Sequence, residues 1–339
     1  MKVSHNAPLK NYNTFGIDST ARILCTIETV EDLKAFHRDV SMRDDKRLIL
    51  GGGSNTLLAG DFDGVVLHMK ISGKTINERS EDWLITAGAG ENWADFVDWT
   101  LEKGYPGLEN LSAIPGTVGA SPIQNIGAYG MEVSERISHV TVFDPTSGSV
   151  FDIPNRACLF TYRSSVFKES SGSNFVIISV TFSLSKSWKA ALKYEELITQ
   201  SKNKGYSLES PEEISKLVKE IRRGKLPDPS LIGNAGSFFK NPILSGAKAL
   251  AFVEKNVSAP YYVQPDKSIK IPAGWLIDEA GWKGKRVGRV GIYEKQALVL
   301  VNHGGASGQD VLSLSDAIRS DILFKFGVDL EPEPVVVGC

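Results

Sequence analysis

Cysteine is scarce in this chain, and its spacing excludes two classes of protein. The 339 residues include three cysteines, Cys25, Cys158 and Cys339, which are far apart and form no CxxC pair. Cysteine-rich zinc sites need closely spaced pairs of cysteines, and a disulfide framework uses an even number. We therefore interpret the three as small hydrophobic side chains.

An excess of charge of either sign is also missing. Lys and Arg total 38 and Asp and Glu total 40, which gives a net charge of −2. This balance gives no electrostatic reason to expect nucleic acid or an anionic membrane as the main partner. An anionic ligand therefore has to be met by a local cluster of cations.

Long apolar runs are the third absence. The opening MKVSHNAPLKNYNTFGIDST lacks the apolar core and the small-residue cleavage site of a signal peptide. No later stretch approaches the roughly 18 apolar residues of a membrane span. We therefore expect a soluble cytoplasmic protein, and no obligate protein partner is evident.

The length of the chain predicts more than one domain, because domains commonly hold about 100 to 200 residues. Hydrophobic periodicity and glycine turns predict a small α/β unit over residues 1–70, with a helix near 30–40. Further along we expect these elements: a strand at 83–87, a helix at 93–101, a hairpin of 140–143 with 150–153, and a strand at 175–184.

The C-terminal half has clearer helix signals. Residues 186–208 are polar and lysine-rich and divide the middle of the chain from a helix that starts at Ser210 and stops at Gly224. Ser210 is the expected N-cap, Pro211 follows it, and Glu213 closes a capping box. A last helix is predicted over 309–326, before a terminal strand at 328–337.

Three glycine-rich segments resemble nucleotide-binding loops to different degrees. Gly51-Gly-Gly-Ser-Asn55 follows a strand and can aim backbone N–H groups at a phosphate, although one such loop alone is more often a plain turn. Gly88-Ala-Gly-Glu-Asn-Trp93 has only two glycines of the dinucleotide fingerprint, which disfavours a Rossmann site. Gly73-Lys-Thr75 resembles the end of a P-loop, but His68 stands where the earlier glycine is required, so we treat the match as chance.

The strongest signal is the loop Ile114-Pro-Gly-Thr-Val-Gly-Ala-Ser-Pro-Ile-Gln-Asn-Ile-Gly-Ala-Tyr-Gly130. Its small residues let main chain lie against a flat ligand, while Gln124 and Asn125 can hydrogen-bond the polar edge of that ligand. An isoalloxazine ring is a ligand of this kind. The loop resembles the flavin-binding loop of the UDP-N-acetylenolpyruvoylglucosamine reductase (MurB) family.

The resemblance extends over nearly the whole chain. These segments resemble family motifs in family order: Asn13-Thr-Phe-Gly16, Leu50-Gly-Gly-Gly-Ser-Asn55, Gly88-Ala-Gly-Glu-Asn92, Tyr162-Arg-Ser-Ser-Val-Phe167, Lys225-Leu-Pro-Asp-Pro229, Gly233-Asn-Ala-Gly-Ser-Phe-Phe-Lys-Asn-Pro242, Ala273-Gly-Trp-Leu-Ile277 and Leu330-Glu-Pro-Glu333. The inserted segment around Tyr194 resembles the longer, type I members.

The resemblance implies a fold and a reaction. The fold class is α+β, with a two-lobed FAD-binding domain of the vanillyl-alcohol oxidase (PCMH) type and a C-terminal α/β substrate-binding domain. The implied domains are 1–70 (lobe 1), 71–210 with 327–339 (lobe 2) and 211–326 (substrate-binding). The reaction is the NADPH-dependent reduction of UDP-N-acetylglucosamine enolpyruvate to UDP-N-acetylmuramate through FAD, in peptidoglycan precursor synthesis.

The resemblance also assigns residues. The catalytic positions fall on Arg163, Ser237 and Glu333, and the substrate-binding positions fall on Tyr194, Lys225, Asn241 and Gln296. The FAD-binding positions are Gly51, Gly52, Gly53, Ser54, Asn55, Ile114, Pro115, Gly116, Gly119, Gln124, Asn125, Gly127, Ala128 and Arg222. No metal ligand is expected. The FAD should be non-covalent, because related oxidases attach it to a histidine where this chain has Ser54 and Asn55.

Other interpretations stay open from the sequence. Taken singly, Ser237 is typical of a turn, Arg163 of a surface ion pair and Glu333 of a solvated carboxylate. Pro334 departs from the expected apolar strand residue, which puts the strand pairing around Glu333 in question. The alternative functions are an FAD-dependent oxidase of the same fold acting on a sugar or alcohol, and a non-catalytic regulator that binds flavin or UDP-sugar.

Overall fold

The computed structural model describes residues 1–43, 45–169, 172 and 174–338. They form two compact units. The first unit comprises 1–7, 21–52 and 63–222, and the second comprises 8–20, 53–62 and 223 onward. These contact units do not follow the domain ranges implied by the resemblance, because the helix after Ser210 belongs largely to the first unit and residues 327–338 belong to the second. The three-part domain division stays a prediction.

A four-stranded sheet opens the first unit. Its order is Lys2–Pro8, Thr20–Ile27, Phe62–Met69 and Arg47–Leu50. The helix Val30–Arg38 starts as predicted, and Thr29 and Asp32 form a reciprocal capping box at its N-terminus. Leu33 and Phe36 on this helix are buried in the same core as the sheet.

A five-stranded antiparallel sheet follows. Its order is Ser149–Pro154, Ile137–Asp144, Val176–Ser185, Asp82–Gly88 and Lys74–Glu78. The predicted hairpin is confirmed, with Asp144 opposite Ser149 at the turn. The predicted helix near residue 93 is also confirmed, as Trp93–Glu102, and it buries Trp93 and Phe96 in the core of this sheet.

The polar segment 186–208 contains a helix that the sequence analysis does not predict. Glu195–Lys204 is helical and ends at Gly205, which has a left-handed φ of 73°. Few of its residues are apolar, but Leu197 is buried with Ile214 and Leu217 of the next helix, Pro211–Lys225. Packing against a neighbour therefore compensates for a weak local signal.

The start of the helix Pro211–Lys225 corrects one detail of the predicted capping box. The hydroxyl of Ser210 accepts the N–H of Glu213 at 3.3 Å, as an N-cap should. The Glu213 carboxylate instead accepts the N–H of Ser207. The side chain therefore fastens the preceding turn to the helix rather than closing the box.

The second unit has a mixed helix and strand content. Its larger sheet has the order Gly233–Ser237, Val299–Asn302, Val290–Ile292 and Arg286–Val287. A three-stranded sheet has the order Ile243–Leu244, Ile269–Lys270 and Tyr262–Val263. The helices are Gly246–Lys255, Ala273–Glu279 and Gly308–Phe326, of which the last confirms the predicted helix near 309–326.

The terminal strand is shorter than predicted. Only Val335–Val337 is a strand, and it pairs in parallel with Thr56–Leu58. Proline cannot donate to a strand ladder, and Pro332 and Pro334 interrupt the predicted run from 328. The remaining short elements are Val40–Arg43 (helical), Gly127–Ala128 paired with Met131–Glu132, and the single turns Lys10–Tyr12, Glu109–Leu111, Val118–Ala120, Val133–Glu135 and Asn155–Ala157.

The cysteines of the described region are buried free thiols. Burial raises the pKa of Cys25 to about 11 and that of Cys158 to about 12. Cys339 lies outside the described residues. No cluster of potential metal ligands and no helix long and apolar enough to span a bilayer is found in the described part of the chain.

Candidate active site

The predicted glycine loops of the first unit lie against one another. The N–H of Gly119 donates to the carbonyl of Ala89 at 3.0 Å, and the N–H of Trp93 donates to that of Gly116 at 3.1 Å. A Cβ atom on Gly52 would lie 3.3 Å from the Cα of Gly116. Glycine is required here because the main chains approach more closely than side chains would allow.

The two weak nucleotide motifs have other roles. Gly88 ends a strand of an antiparallel sheet, and Trp93 is buried in the core beside it, so this unit is not a Rossmann βαβ. Lys74 begins an edge strand and pairs with Glu91. Burial raises the pKa of Glu91, but hydrogen bonds from Lys74 and the Gly73 N–H outweigh it, and the pKa is lowered overall.

Within the loop 114–130, the side chain of Asn125 faces the protein interior. It is fully buried, and its amide nitrogen donates to the Glu132 carboxylate at 2.8 Å and to the Thr161 carbonyl at 3.1 Å. Its amide oxygen accepts the N–H of Ser134 at 3.1 Å. Asn125 therefore holds the loop from the inside with its side chain, whereas Gln124 is half-buried, and contact of either residue with FAD stays a prediction.

Arg163 lies inside the tight turn from Thr161 to Ser164, and its side chain contacts the same loop. Its φ is 56°, and the turn is closed by the Ser164 N–H donating to the Thr161 carbonyl at 3.2 Å. Its guanidinium donates to the carbonyl of Gly127 at 2.9 Å and contacts that of Asn125 at 3.4 Å. The candidate catalytic cation is thus held beside the candidate flavin loop.

Arg222 is a second cation beside this loop. Its Nε donates to the carbonyl of Ala113 at 3.1 Å. Burial lowers its pKa, and the Tyr129 hydroxyl is the partner that opposes this shift. A half-buried cation that is held by a carbonyl and a phenol hydroxyl favours an electron-rich ligand at this position.

Tyr194 contacts the same group of residues from the inserted segment. Its ring meets the ring of Tyr129 edge to face, with centroids 5.6 Å apart. A Cβ atom on Gly130 would lie 3.1 Å from the main-chain nitrogen of Tyr194. The segment therefore passes directly over the end of the flavin loop.

Two buried residues that the sequence analysis missed anchor this segment. The indole N–H of Trp188 donates to the Glu109 carboxylate at 2.8 Å. The side chain of Asn110 donates to the carbonyls of Ala191 and Tyr129, both at 2.8 Å. Charged and amide side chains in an otherwise apolar stretch, Gly107-Leu-Glu-Asn-Leu111, are the signal that could have identified them, because a buried polar residue needs partners.

In the second unit, Ser237 is placed by a bulge. Asn234 pairs with Val301 and Ser237 with Val299, so three steps along one strand match two along the other. Gly236 provides the extra residue in a left-handed conformation, with a φ of 69°. Bulges re-aim a side chain and are common beside active sites. Ser237 is half-buried between this bulge and the fully buried Phe238.

Glu333 lies on a segment that is hydrogen-bonded to the residue after Ser237. Its N–H donates to the carbonyl of Phe238 at 2.8 Å, and Phe239 forms an antiparallel bridge with Pro332. The side chain of Asn55 donates to the carbonyl of Glu333 at 3.3 Å. Pro334 therefore does not disturb the pairing here, because hydrogen bonds fix the chain on both sides of it.

The second unit holds further predicted site residues. The amide oxygen of Asn241 accepts the N–H of Ala273 at 2.9 Å, and that of Gln296 accepts the N–H of Leu298 at 3.4 Å. Lys225 is the last, half-buried residue of its helix. Gly53, with a φ of 62°, packs so closely on Tyr12 that a Cβ atom would overlap its carbonyl.

Comparison with known proteins identifies the family. The family profile described as UDP-N-acetylenolpyruvoylglucosamine reductase, C-terminal domain, matches residues 228–337, and the profile described as FAD binding domain matches 21–153. A UDP-N-acetylenolpyruvoylglucosamine reductase from Paraburkholderia phymatum is 50% identical over 331 residues, which cover 97% of this chain and 96% of that protein. The chain belongs to the UDP-N-acetylenolpyruvoylglucosamine reductase (MurB) family.

Two further comparisons agree. A MurB relative from Azoarcus sp. is 47% identical over 342 residues, covering 99% of this chain and 98% of that protein. The crystal structure of a MurB from Thermus caldophilus aligns over 99% of this chain and 98% of its own, with a TM-score of 0.68 and 24% identity. The predicted family, the α+β fold class and the FAD-binding domain are confirmed. The site residues stay predictions.

Proposed function

We propose that this chain catalyses the NADPH-dependent reduction of UDP-N-acetylglucosamine enolpyruvate to UDP-N-acetylmuramate, through non-covalent FAD. One observation carries the proposal. Ser237 follows a bulge at the end of its strand, and the main-chain N–H of Glu333 donates to the carbonyl of Phe238, so the residues that carry the hydroxyl and the carboxylate lie on hydrogen-bonded chain segments. Reduction of an enolpyruvyl ether needs groups of these types, and a family relative at 50% identity bears the name of this activity.

The first unit fits the predicted cofactor. Its glycine loops approach one another closely at the main chain, and Arg222 offers a half-buried positive charge that the Ala113 carbonyl and the Tyr129 hydroxyl contact. Such a cation suits the pyrimidine edge of an isoalloxazine, which gains negative charge on reduction. When bound, FAD supplies the hydride that adds to the terminal carbon of the enolpyruvyl group.

The three catalytic candidates then have distinct tasks. Hydride addition moves negative charge onto the neighbouring carbon and its carboxylate, and the guanidinium of Arg163 stabilises that charge. Ser237 delivers a proton to this carbon as general acid. Glu333 is the third catalytic position that the family resemblance assigns, and its main chain is fixed by Phe238 and Asn55.

The substrate-binding candidates serve the diphosphate and the sugar. Lys225 supplies a cation at a helix end, and Tyr194 supplies a hydroxyl from the segment above the flavin loop. The amide oxygens of Asn241 and Gln296 are held by main-chain N–H groups. That arrangement turns the amide nitrogens outward as donors. We infer that the reaction takes place in the cytoplasm, where NADPH and UDP-sugars are available.

Anaerobic absorbance spectroscopy tests the proposal. NADPH should bleach the visible absorbance of the purified yellow protein, and the enolpyruvyl sugar should then restore it in one turnover. Recovery with dioxygen but not with the sugar would instead identify an oxidase. Binding of both ligands without any spectral turnover would identify a regulator.

A further inference from the structure

Asn125 is a buried residue of the flavin loop whose side chain makes three hydrogen bonds, and apart from the predicted FAD contact it has no assigned task. Asn125 is fully buried, and its φ of 46° is left-handed. Its side chain joins Glu132, Ser134 and Thr161 through three hydrogen bonds of 2.8 to 3.1 Å. We call these four residues the Asn125 junction.

The junction fixes the base of the turn that carries Arg163. The carbonyl of Thr161 accepts both the Asn125 amide and the N–H of Ser164. Arg163 stands between Thr161 and Ser164 in a left-handed conformation that a non-glycine residue adopts only when its surroundings hold it there. Releasing Thr161 would therefore loosen the backbone from which the guanidinium extends.

Asn125 also helps to define the other end of that side chain. The guanidinium of Arg163 donates to the carbonyl of Gly127 and contacts that of Asn125 itself. A Cβ atom on Gly127 would lie 3.1 Å from the nearer guanidinium nitrogen. Asn125 thus contacts both the turn that carries Arg163 and the guanidinium of Arg163.

The chemistry of the junction requires asparagine. A left-handed backbone favours glycine or asparagine, and the three partners need two donor contacts and one acceptor contact from a single side chain. Aspartate would keep the acceptor for Ser134 but would place an oxygen against the Glu132 carboxylate and the Thr161 carbonyl. Glycine would keep the backbone conformation and remove all three bonds.

We propose that Asn125 is a positioning residue that holds Arg163 in place for the reduction of the enolpyruvyl group. The inference rests on the catalytic role given to Arg163 in the proposed function. It does not assign Asn125 any contact with substrate or flavin through its side chain.

A double-mutant cycle tests this inference. We expect Asn125→Asp and Asn125→Gly, measured with saturating FAD, to slow reoxidation by the enolpyruvyl sugar by about 10- to 100-fold, since a misplacement near 1 Å costs about that much. Reduction of FAD by NADPH, which does not use the guanidinium of Arg163, should be slowed much less than reoxidation. In the Arg163→Ala background, either change should have almost no further effect on reoxidation.

Asn155→Gly is the matched control. Asn155 donates to the carbonyls of Ser134 and Ile137 at 2.9 and 2.8 Å, so its loss loosens the same Ser134 segment without touching Thr161. We expect it to lower the unfolding temperature while both half-reactions stay within about threefold. Slowing of reoxidation in this variant to the level of Asn125→Gly would mean that general loosening, not positioning, is responsible.

A readout without turnover separates this inference from the proposed function. In flavin-free protein labelled with ¹⁵N-arginine, the Nε–H signal of Arg163, assigned by its loss in Arg163→Lys, should shift in both Asn125 variants and not in Asn155→Gly. An unmoved signal, or multiplicative losses in the double mutant, would overturn the inference. A shifted signal with normal reoxidation in Arg163→Ala would keep the positioning contact and reject the catalytic role of Arg163.

Discussion

The main-chain N–H of Glu333 donates to the carbonyl of Phe238, the residue directly after Ser237, at 2.8 Å. Ser237 and Glu333, which are far apart in the sequence, thereby lie on two hydrogen-bonded chain segments. The bulge at Gly236 changes the register just before Ser237, so the orientation of this serine depends on backbone geometry rather than on its own side chain.

The first prediction separates the two half-reactions at Ser237. Ser237→Ala should leave reduction of FAD by NADPH nearly intact and slow reoxidation by the enolpyruvyl sugar by about 10²- to 10⁴-fold, because general acid catalysis is lost. Ser237→Cys should restore part of the rate, since a thiol can also deliver a proton. Stopped-flow absorbance measures both steps. Equal damage to both half-reactions would mean that the serine has a structural role.

A second prediction concerns the anchor of the segment that carries Tyr194. Trp188→Phe removes the indole N–H that binds Glu109 but keeps an aromatic ring. We expect KM for the UDP-sugar to rise by about 3- to 10-fold with a smaller change in kcat, because about 1 kcal/mol of ordering is lost from a binding segment. Steady-state kinetics decide it. An unchanged KM would show that Asn110 alone suffices to hold the segment.

The third prediction uses the close approach of two loops. A Cβ atom on Gly119 would lie 2.5 Å from that of Ala89, so Gly119→Ala should destabilise the protein by about 1–3 kcal/mol and weaken FAD binding. Gly224→Ala is the control, because a Cβ atom there meets no neighbour within 4 Å and the position is helical. Thermal unfolding and flavin content measure both. Full FAD occupancy in Gly119→Ala would contradict the stacked-loop arrangement.

A fourth prediction follows from the lowered pKa of Glu91. A carboxyl whose pKa is lower in the folded state stabilises it at pH values above the unfolded pKa, near 4.3, and this stability is lost as the pH falls through the folded pKa. Glu91→Gln should therefore lose about 1 kcal/mol at pH 7, and the difference from the parent should shrink below about pH 4. Urea unfolding across pH measures it. Glu31→Gln, at an exposed pair with Lys34, should change stability by less than about 0.5 kcal/mol at every pH.

The fifth prediction concerns the bond to the flavin. Acid or heat should release all of the flavin as FAD, because the loop 51–55 contains no histidine for covalent attachment. Chromatography of the supernatant and absorbance of the redissolved precipitate measure the two fractions. Flavin that stays with the protein would refute non-covalent binding.

Local signals explain what could be predicted from the sequence. Interactions between neighbouring residues determine three features: the helix that starts after Thr29, the hairpin turn at Asp144 and the glycine loops. Gly119 is required because the loop that contains Ala89 packs against it. The glycine itself is nevertheless visible in the sequence, so a close approach at this position could be predicted. Family motifs then supplied the rest of the candidate site.

Distant contacts explain what could not be predicted. The helix Glu195–Lys204 depends on Leu197 packing against the following helix, and the inward orientation of Asn125 depends on Thr161, 36 residues away. The sequence predicts ligand contacts for both Gln124 and Asn125, because it gives residue types and not side-chain directions, and those contacts stay predictions. A polar side chain that forms hydrogen bonds within the protein and one that contacts a ligand give the same local sequence pattern.

The parallel pairing of Thr56–Leu58 with Val335–Val337 has a consequence for biosynthesis. At about 5–20 residues per second, a ribosome delivers the second strand tens of seconds after the first, so the earlier strand waits unpaired while the chain grows. An unpaired edge of Thr-Leu-Leu is a template for aggregation. Premature termination before Val335 should therefore yield insoluble product in a cell-free translation assay, even though every catalytic candidate has already been made.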